Sequence, residues 1–392
     1  MRIELVEVLT VGSELTGAHT CVRLTTDTGI TGLGQSGGWG YPAGVAGVLT
    51  QMTPLLEGAD PFRIEHIWQL IYRARPFRGN LLSAAVSAVD LALWDIKGKA
   101  VDLPVWELLG GRTRDRVRLH VLVGGGTPDE IFSSVNWAAD EGFTAVKFDP
   151  LVHDYEEFPV RKLVASVTAM ASAAREAAGD EMDLIFELHR KLDPGKALVV
   201  CDALAPFHPL FIEDPIQIDS IDAQAELATR VASPLALGER LGSIWEFSEL
   251  LGHGAPIVVR PDVGLAGGLS GCRKIAALAE ARNCTVAPHN FLGPGLTAPT
   301  LHLCTTIQNL LTMEYLPLDE DTTSSSAAFA TAVVRSGGYC EVPDAPGLGV
   351  TLVDAHADVA PAVERSLSSE GVLRSDGSVA GASWASAVSP PS

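Results

Sequence analysis

The sequence predicts an α/β protein built around a (β/α)8 barrel, preceded by a smaller unit of antiparallel strands and helices. The chain has 392 residues, which is too long for one ordinary hydrophobic core and favours two domains. From about residue 117 onward, short apolar runs alternate with helical segments. Several of these runs lack polar alternation, as expected of parallel strands that are buried on both faces. Eight such units over roughly 200 residues are typical of a barrel.

The N-terminal third predicts antiparallel strands followed by helices. Residues 1–35 alternate apolar and polar side chains, and the stretch 27–29, Asp-Thr-Gly, is a turn signal. The clearest helix is predicted over 83–100, where Ala, Val, Leu and Trp recur at helical spacing. Pro104 begins a short further helix, and the Gly-Gly pair at 110–111 ends it.

The predicted barrel strands are eight apolar runs, each followed by a helical pattern. They are LHVLVGG (119–125), TAVKFD (144–149), DLIFELH (183–189), LFIEDP (210–215), LALGER (235–240), IVVRPD (257–262), TVAPHN (285–290) and LLTMEY (310–315). The last stretch of the chain, 376–392, is rich in Ser, Ala, Gly and Pro and predicts a poorly ordered tail.

Nearly every predicted barrel strand ends with a polar or charged residue. From the third strand onward these are Glu187, Glu213, Glu239, Asp262, His289 and Glu314, at intervals of 23 to 27 residues. The C-terminal ends of barrel strands form one ring, and active sites lie there. We therefore expect these side chains to belong to a single site.

Three of these residues predict a metal site. Glu187, Glu213 and Glu239 end consecutive strands, and neighbouring carboxylates repel each other and raise each other's pKa. A single carboxylate at a strand end is more often an ordinary surface group, but three in phase favour a bound divalent cation. Ligands that are all oxygen favour Mg²⁺ over Zn²⁺, so one Mg²⁺ per subunit is predicted.

The remaining ring residues predict acid–base chemistry. Asp262 and His289 lie on adjacent predicted strands, where an Asp fixes the tautomer of a His and stabilises its charged form. A lone His at a strand end is more often structural, but the partner Asp262 and the following loop APHNFLGPG favour a functional role for His289. His189, two residues after Glu187, would lie across the ring as a second acid or base. Lys147 supplies a fixed positive charge. Further candidates are Arg190, Lys191, Arg240 and Arg260.

Composition narrows the class of partner. The net charge of −20 argues against nucleic acid and against an anionic membrane surface. No apolar run is long enough to span a bilayer, and the first residues lack the plan of a signal peptide. Six scattered cysteines predict reduced core residues rather than disulfides or a zinc site, and hence a cytoplasmic protein.

Five segments resemble the mandelate racemase/muconate lactonizing enzyme-like subgroup of the enolase superfamily. They are ALWDIKGKAVDLPVWELLGG (92–111), PLFIEDP, PLALGER, RPDVGLAGG and APHNFLGPG. The resemblance covers nearly the whole chain and implies a modified (β/α)7β TIM-like barrel under an α+β capping domain. The implied divisions are a capping domain at 1–116, a barrel at 117–318, a C-terminal segment completing the capping domain at 319–375, and the tail at 376–392. The resemblance also implies a homo-oligomer, from dimer to octamer.

The resemblance also implies roles for the ring residues. It implies Mg²⁺ ligands at Glu187, Glu213 and Glu239, a general-base dyad of His289 and Asp262, and contact between Glu314 and a substrate carboxylate. Other predicted substrate contacts are Asp149, Arg190, Arg260, Trp39 and Tyr41. We expect specificity to lie in capping loops around 12–20 and 36–44, with Trp39 and Tyr41 as candidate lid residues.

Two departures from the racemases of the subgroup point to a reaction. Racemases carry Lys-x-Lys at the end of strand two, whereas this chain has Lys147-Phe148-Asp149 and lacks the second Lys base. His189 follows the first metal ligand in a Glu-x-His arrangement, which is similar to galactonate- and gluconate-type dehydratases, where the His protonates the departing hydroxyl. The first ligand is commonly Asp in the subgroup, and Glu187 is one methylene longer.

The sequence therefore predicts a Mg²⁺-dependent dehydratase of an aldonate or aldarate. His289 would take the proton at C2, Mg²⁺ and Lys147 would stabilise the enediolate, and His189 would protonate the leaving 3-hydroxyl. The product would be a 2-keto-3-deoxy sugar acid. Two alternatives remain open: an epimerase or cycloisomerase acting on a related acid sugar or lactone, and a non-catalytic descendant that binds a sugar acid.

Overall fold

The computed structural model describes residues 1–13, 17–152, 154–254, 257–317, 328–331, 333–353 and 378. Apart from residue 378, the predicted tail at 376–392 lies outside the described residues. So do parts of the predicted loop at 12–20 and of the predicted C-terminal segment at 319–375. Within the described part of the chain, no helix is both long enough and apolar enough to cross a bilayer.

The N-terminal unit is a three-stranded antiparallel sheet covered by helices. Its strands are β1 (Ile3–Ser13), β2 (Gly17–Thr26) and β3 (Thr31–Gln35), paired in that order. Its helices are α1 (Pro42–Leu56), α2 (Ile64–Arg73), α3 (Asn80–Ala100) and α4 (Val105–Leu108). The turn between β2 and β3 contains Gly29, whose φ of 81° is a conformation that glycine adopts readily. Helix α3 contains the predicted helix at 83–100.

Helix α3 packs directly on β3 because the strand carries glycines where the two elements meet. A Cβ atom at Gly32 would overlap the carbonyl oxygen of Ala92, and a Cβ atom at Gly34 would overlap that of Ala88. Asp95 on the same helix is buried and accepts hydrogen bonds from the backbone N–H groups of Leu33 (3.0 Å) and Leu348 (2.9 Å). The helix therefore joins the N-terminal sheet to the C-terminal part of the chain.

The second unit is the predicted barrel. Strands β4 (Arg116–Leu122), β5 (Ala145–Phe148), β6 (Asp183–Glu187), β7 (Phe211–Glu213), β8 (Leu235–Leu237) and β9 (Ile257–Val259) pair in parallel in that order. Strand β10 (Met313–Tyr315) pairs in parallel with β4. Single bridges join Val259 to Val286 and Val286 to Leu310, so the segment around Val286 takes the seventh position. The predicted barrel is confirmed.

In the described part of the chain, seven α-helices follow the barrel strands. They are α5 (Pro128–Asp140), α6 (Val160–Ala178), α7 (Pro194–Leu204), α8 (Ile221–Arg230), α9 (Ile244–Gly252), α10 (Gly268–Glu280) and α11 (Pro294–Thr306). Several begin at side-chain caps: Thr127 and Glu130 form a capping box, and Asp193, Ser220 and Ser243 each accept a backbone N–H. These caps fix the points at which the loops above the ring end.

Short strands complete the described chain. Strands β11 (Phe329–Thr331) and β14 (Val350–Leu352) pair with each other, while β12 (Arg335–Ser336) pairs with β13 (Tyr339–Glu341). Strand β13 also pairs antiparallel with β4. Inside the barrel, an apolar cluster supports the ring of strand ends, and it comprises Ile185, Phe211, Ala236, Val258 and Ala287.

Helix α3 of the N-terminal unit also contacts the barrel, at the start of α10. The Ser87 hydroxyl accepts hydrogen bonds from the backbone N–H groups of Gly267 and Gly268, at 2.9 and 3.0 Å. Asp90 accepts from the backbone N–H of Ser270 at 3.0 Å. Because free N–H groups at a helix start need acceptors, these contacts hold the loop between β9 and α10 in place.

Two glycines bring the predicted lid loop against the same β9–α10 loop. The N–H of Gly37 donates to the carbonyl oxygen of Gly264 at 2.7 Å, and the N–H of Gly264 donates to Asp262 Oδ1 at 2.6 Å. The lid loop is shorter than predicted, because Pro42 begins helix α1 inside the 36–44 stretch. Proline is favoured at the first helical position because its φ suits a helix and its missing N–H is not needed there.

We expect Gly264→Ala to lower the free energy of unfolding by about 1–3 kcal/mol, as for other overpacked sites. A Cβ atom there would lie 2.6 Å from the backbone nitrogen of Gly37 and 2.9 Å from its Cα, and backbone cannot move aside as a flexible side chain can. Urea denaturation measures the change. The control is Gly47→Ala in helix α1, where nothing lies within 4 Å and a small gain in stability is expected. Equal changes in both variants would contradict this interpretation.

Candidate active site

Three buried carboxylates meet at the C-terminal ends of adjacent strands. Glu187 ends β6, Glu213 ends β7 opposite it in register, and Glu239 follows β8 by two residues. One oxygen from each residue lies within 4.8 Å of those of the other two. The parallel pairing of short strands places these positions side by side, which is the arrangement that the sequence predicts.

Two cations lie among these carboxylates. Lys147 Nζ is 3.2 Å from Glu187 Oε2, 2.9 Å from Glu213 Oε2 and 2.5 Å from Glu314 Oε1. Arg260 binds Glu213 Oε1 through Nε at 2.6 Å and Glu314 Oε2 through Nη2 at 2.7 Å. Burial alone would lower the pKa of Lys147, but the charges of Glu213, Glu314 and Glu187 raise its pKa above the ordinary value. Lys147 is therefore a fixed positive charge.

A second pair of cations surrounds Glu239. Arg190 Nη1 contacts Glu239 Oε1 and lies 2.8 Å from Asp214 Oδ2, while Arg240 Nη2 lies 3.1 Å from Glu239 Oε1. Burial lowers the pKa of Arg190, but Glu239 and Asp214 outweigh burial and raise the pKa. Burial, reinforced by the charge of Glu239, raises the pKa of Asp214 to about 6. The predicted substrate contact Arg190 is thus already bound to two carboxylates.

The charges of this cluster favour one additional divalent cation. Among the described residues, its seven carboxylates are Asp149, Glu187, Glu213, Asp214, Glu239, Asp262 and Glu314. The five permanent cations in contact with them are Lys147, Arg190, Lys191, Arg240 and Arg260. When both histidines are neutral and all seven carboxylates are ionised, the five permanent cations leave an excess of two negative charges, which one divalent cation would offset.

The donor chemistry of Glu187, Glu213 and Glu239 fits a hard cation. All three offer carboxylate oxygens, the ligands that Mg²⁺ prefers. Burial raises the pKa of Glu213 well above its ordinary value, and the charges of Glu187 and Glu239 act in the same direction against Arg260 and Lys147. A cation bound between the three would favour their ionised forms.

A buried histidine–aspartate dyad lies at the Glu239 end of the triad. His289 Nδ1 is 2.6 Å from Asp262 Oδ2, and a backbone bridge joins the two residues. His289 Nε2 lies 3.7 Å from Glu239 Oε2. With Nδ1 held by Asp262, the ring turns Nε2 toward the triad, which is the orientation that a base needs to reach a molecule bound there.

A second dyad lies at the Glu187 end. His189 Nδ1 is 2.7 Å from Asp149 Oδ2, and Lys191 Nζ is 2.6 Å from the same oxygen. Sequence reasoning assigned Asp149 to the substrate and did not pair it with His189. Phe148 pairs with Phe186, so the residues just beyond these adjacent parallel strands lie close together.

Two predicted substrate contacts, Arg260 and Glu314, are buried beside the triad. Arg260 is completely buried, and its nitrogens bind Glu213, Glu314 and the carbonyl oxygen of Ala287. The predicted contact between Arg260 and the substrate therefore conflicts with the geometry, because the Arg260 side chain is fully buried by protein. Glu314 binds Lys147 and Arg260 and accepts the backbone N–H of Asn290 at 3.1 Å. The Glu314 carboxylate thus holds Lys147 and Arg260 in place.

The predicted lid residues differ in their surroundings. The Trp39 ring lies 6.3 Å from that of Phe291, which in turn lies 6.1 Å from the imidazole of His289, and Arg240 Cζ lies 5.6 Å from the Trp39 ring centre. Tyr41 is 59% exposed. Trp39 therefore lies beside Phe291 and Arg240, next to the His289 dyad. Sequence reasoning missed Phe291, although it lies in the loop that follows His289.

Comparisons with known proteins identify the family of the chain. Residues 133–356 match the family described as Enolase C-terminal domain-like. Residues 5–110 match the N-terminal domain of the mandelate racemase / muconate lactonizing enzyme family. A D-galactonate dehydratase of Ralstonia nicotianae is 35% identical over 359 residues, which are 88% of this chain and 91% of that protein. A D-galactonate dehydratase of Pectobacterium atrosepticum is 36% identical over 298 residues, 75% of this chain and 77% of that protein.

A solved structure gives the same result for the fold. It is an enolase of Agrobacterium radiobacter with galactarate dehydratase as its suggested activity, bound to Na and L-malate. It has a TM-score of 0.86 at 32% identity and covers 97% of this chain and 100% of its own. Both domains thus have relatives, and the chain belongs to the mandelate racemase / muconate lactonizing enzyme family of the enolase superfamily.

Proposed function

We propose that this protein is a Mg²⁺-dependent dehydratase of an aldonate or aldarate, giving a 2-keto-3-deoxy sugar acid. The observation that carries the proposal is a carboxylate triad with one histidine at each end, His189 beside Glu187 and His289 beside Glu239. Each histidine binds an aspartate through Nδ1. The chain is a hydro-lyase, in keeping with relatives that are named D-galactonate dehydratase.

Glu187, Glu213 and Glu239 would hold the metal. When bound, Mg²⁺ supplies positive charge that stabilises the negative charge developing on the substrate carboxylate. Lys147 and Arg260 each bind Glu213 and Glu314, and Arg190 and Arg240 bind Glu239. These ion pairs keep the triad in one arrangement before the substrate arrives.

The two histidines perform the proton transfers. His289 Nε2 takes the proton from C2, and the electron pair of that C–H bond moves toward the carboxylate to give an enediolate. His189 Nε2 gives a proton to the 3-hydroxyl, the C3–O bond breaks, and water leaves. The resulting enol ketonises to the 2-keto product. Asp262 holds the base in the tautomer whose Nε2 can accept a proton.

An epimerase acting through the same enediolate is the second candidate. It would use His189 to return a proton to C2 from the opposite side, and it would conserve the mass of the substrate. Position 149 carries an aspartate that is bound to His189 rather than a lysine base, which favours elimination. Product mass separates the two, because dehydration loses one water.

A substrate screen tests the proposal. The purified protein is incubated with Mg²⁺ and a panel of aldonic and aldaric acids, and 2-keto products are trapped with semicarbazide and weighed by mass spectrometry. We expect at least one acid to lose water. Deuterium at C2 without loss of water, in the same panel run in D₂O, would instead support the epimerase or cycloisomerase.

We expect His189→Asn to lose dehydration by roughly 10²–10⁴-fold, the usual contribution of a general acid. Exchange of the C2 proton with D₂O should continue, because His289 and its partner Asp262 are intact. Mass spectrometry and NMR of the substrate measure both reactions in one sample. His253→Asn is the matched control, since His253 also pairs with an aspartate, Asp222 at 3.1 Å, but at the protein surface. Unchanged dehydration in His189→Asn would place the acid elsewhere.

A further inference from the structure

We propose that Asp149 is a positioning residue for the acid His189, so that the site contains two Asp–His dyads with opposite tasks. The inference rests on the proposed function, because it assigns a partner to the acid of that reaction. Asp149 follows β5 and His189 follows β6, and these strands are parallel neighbours. The Asp149–His189 pair therefore has the same construction as Asp262 and His289 on the other flank.

The carboxylate of Asp149 is held in place on both oxygens. Oδ1 accepts the backbone N–H of Leu151 at 2.8 Å, which fixes the rotation of the carboxylate. Oδ2 accepts Lys191 Nζ at 2.6 Å and His189 Nδ1 at 2.7 Å. A carboxylate with three hydrogen-bond donors inside the protein is suited to orient a neighbouring side chain.

The backbone turns His189 toward this carboxylate. His189 and Arg190 have φ values of 48° and 63°, in the left-handed region that non-glycine residues adopt rarely. Two hydrogen bonds hold the turn: the N–H of His189 donates to Glu187 Oε1 at 2.8 Å, and the N–H of Arg190 donates to the carbonyl oxygen of Asp214 at 2.6 Å. Glu187 thus holds the backbone of His189, and Asp149 holds its imidazole ring.

This geometry determines which nitrogen reaches the substrate. With Nδ1–H donated to Asp149, the proton for the leaving hydroxyl must come from Nε2. The positive charge of Lys191, 2.6 Å from Asp149 Oδ2, favours the ionised carboxylate, which accepts the Nδ1–H hydrogen bond without taking the proton. Burial raises the pKa of Asp149, but the hydrogen bond from His189 and the charge of Lys191 lower it further, to below the ordinary value. Asp149 itself neither gains nor loses a proton in the reaction.

The kinetic test compares two leaving groups in Asp149→Asn. The probes are D-galactonate, whose 3-hydroxyl needs a proton to leave, and 3-deoxy-3-fluoro-D-galactonate, whose fluoride leaves with the C–F electron pair and needs none. An asparagine would present either oxygen or NH₂ to Nδ1 and no longer select one tautomer. We expect dehydration to fall about 10²-fold, the lower end for a general acid, while fluoride release and C2 exchange stay at wild-type rates.

Matched variants keep the result interpretable. Asp140→Asn makes the same change at an exposed position at the end of α5 and should alter none of the three reactions. If all three reactions fall together in Asp149→Asn, the residue is merely structural and the proposal is overturned. If that variant does not fold, Asp149→Glu keeps the charge but moves the carboxylate by one methylene, and the same loss confined to dehydration is expected.

A spectroscopic measurement tests the positioning without any turnover. In ¹⁵N-histidine-labelled enzyme with Mg²⁺, the His189 ring signals are assigned by their loss in His189→Asn. We expect a hydrogen-bonded Nδ1–H signal that disappears in Asp149→Asn and persists in Asp140→Asn. An unchanged signal in Asp149→Asn would overturn the proposal. A wild type that neither dehydrates nor exchanges any acid of the panel would contradict the proposed function instead, and this measurement would still decide the role of Asp149.

Discussion

His289→Asn is expected to lose dehydration and C2 exchange together, each by roughly 10²–10⁴-fold, the usual contribution of a general base. Both reactions begin with removal of the C2 proton, and an asparagine amide cannot accept it. The variant is incubated with an accepted sugar acid in D₂O, and loss of water and deuterium at C2 are measured in the same sample. The expected pattern differs from that of His189→Asn, which should keep exchange.

The structure makes asparagine a suitable replacement at this position. Its amide can still donate a hydrogen bond to Asp262, whose Oδ2 now lies 2.6 Å from His289 Nδ1 and whose Oδ1 accepts the N–H of Gly264. The β9–α10 loop should therefore stay in place, and only the base at Nε2 is removed. His253→Asn again serves as the surface control. A His289→Asn enzyme that exchanges the C2 proton at the wild-type rate would contradict the assignment of the base.

The ring of strand ends was predictable because one structural rule governs it. Each apolar run is a strand, parallel strands end on the same side of a barrel, and the residue at each end therefore points to a common site. Glu187, Glu213 and Glu239 occupy equivalent positions in consecutive units, so their proximity followed from spacing alone. Asp262 and His289 end neighbouring strands, and their hydrogen bond followed in the same way.

The pairing of Asp149 with His189 depended on conformations that the sequence does not signal. Whether a side chain just past a strand turns left or right is set by the next few φ values, and His189 and Arg190 both adopt left-handed values. These conformations depend on hydrogen bonds to Glu187 and Asp214, which come from the same turn and from the next strand. Histidine is enriched several-fold among non-glycine residues with positive φ but arginine is not, so residue type alone does not predict the turn.

The burial of Arg260 is a different case, because the sequence contained the signal. Side chains two apart on a strand share a face, and Val258 belongs to the apolar cluster inside the barrel. Arg260 therefore points inward, and the neutralising partners for its charge must be the strand-end glutamates. The prediction that Arg260 contacts the substrate rested on its charge. It did not take into account that Arg260 shares the inward face of its strand with Val258.

Removing divalent metal by chelation is expected to abolish dehydration and to lower the melting temperature. Without the cation, burial and the charges of Glu187 and Glu239 raise the pKa of Glu213 and disfavour its ionised form. A ligand that binds only the folded state stabilises it by about 2.7 kcal/mol at 100 times its dissociation constant. Calorimetry with EDTA and then with added Mg²⁺ measures the difference, and activity should return with the metal.

The metal site is tested in Glu239→Gln by the rise in melting temperature that Mg²⁺ causes. The melting temperature of the variant without Mg²⁺ is not a sufficient test. Glu239 also binds Arg190 and Arg240, so the variant leaves those cations less compensated and destabilises the protein for a second reason. Only metal binding predicts that the Mg²⁺-dependent rise should vanish in this variant and persist in Glu249→Gln, which changes an exposed glutamate on α9. If Mg²⁺ does not change the melting temperature of the wild type, the metal site is contradicted. The neighbouring Lys and Arg residues alone would then hold the three carboxylates together.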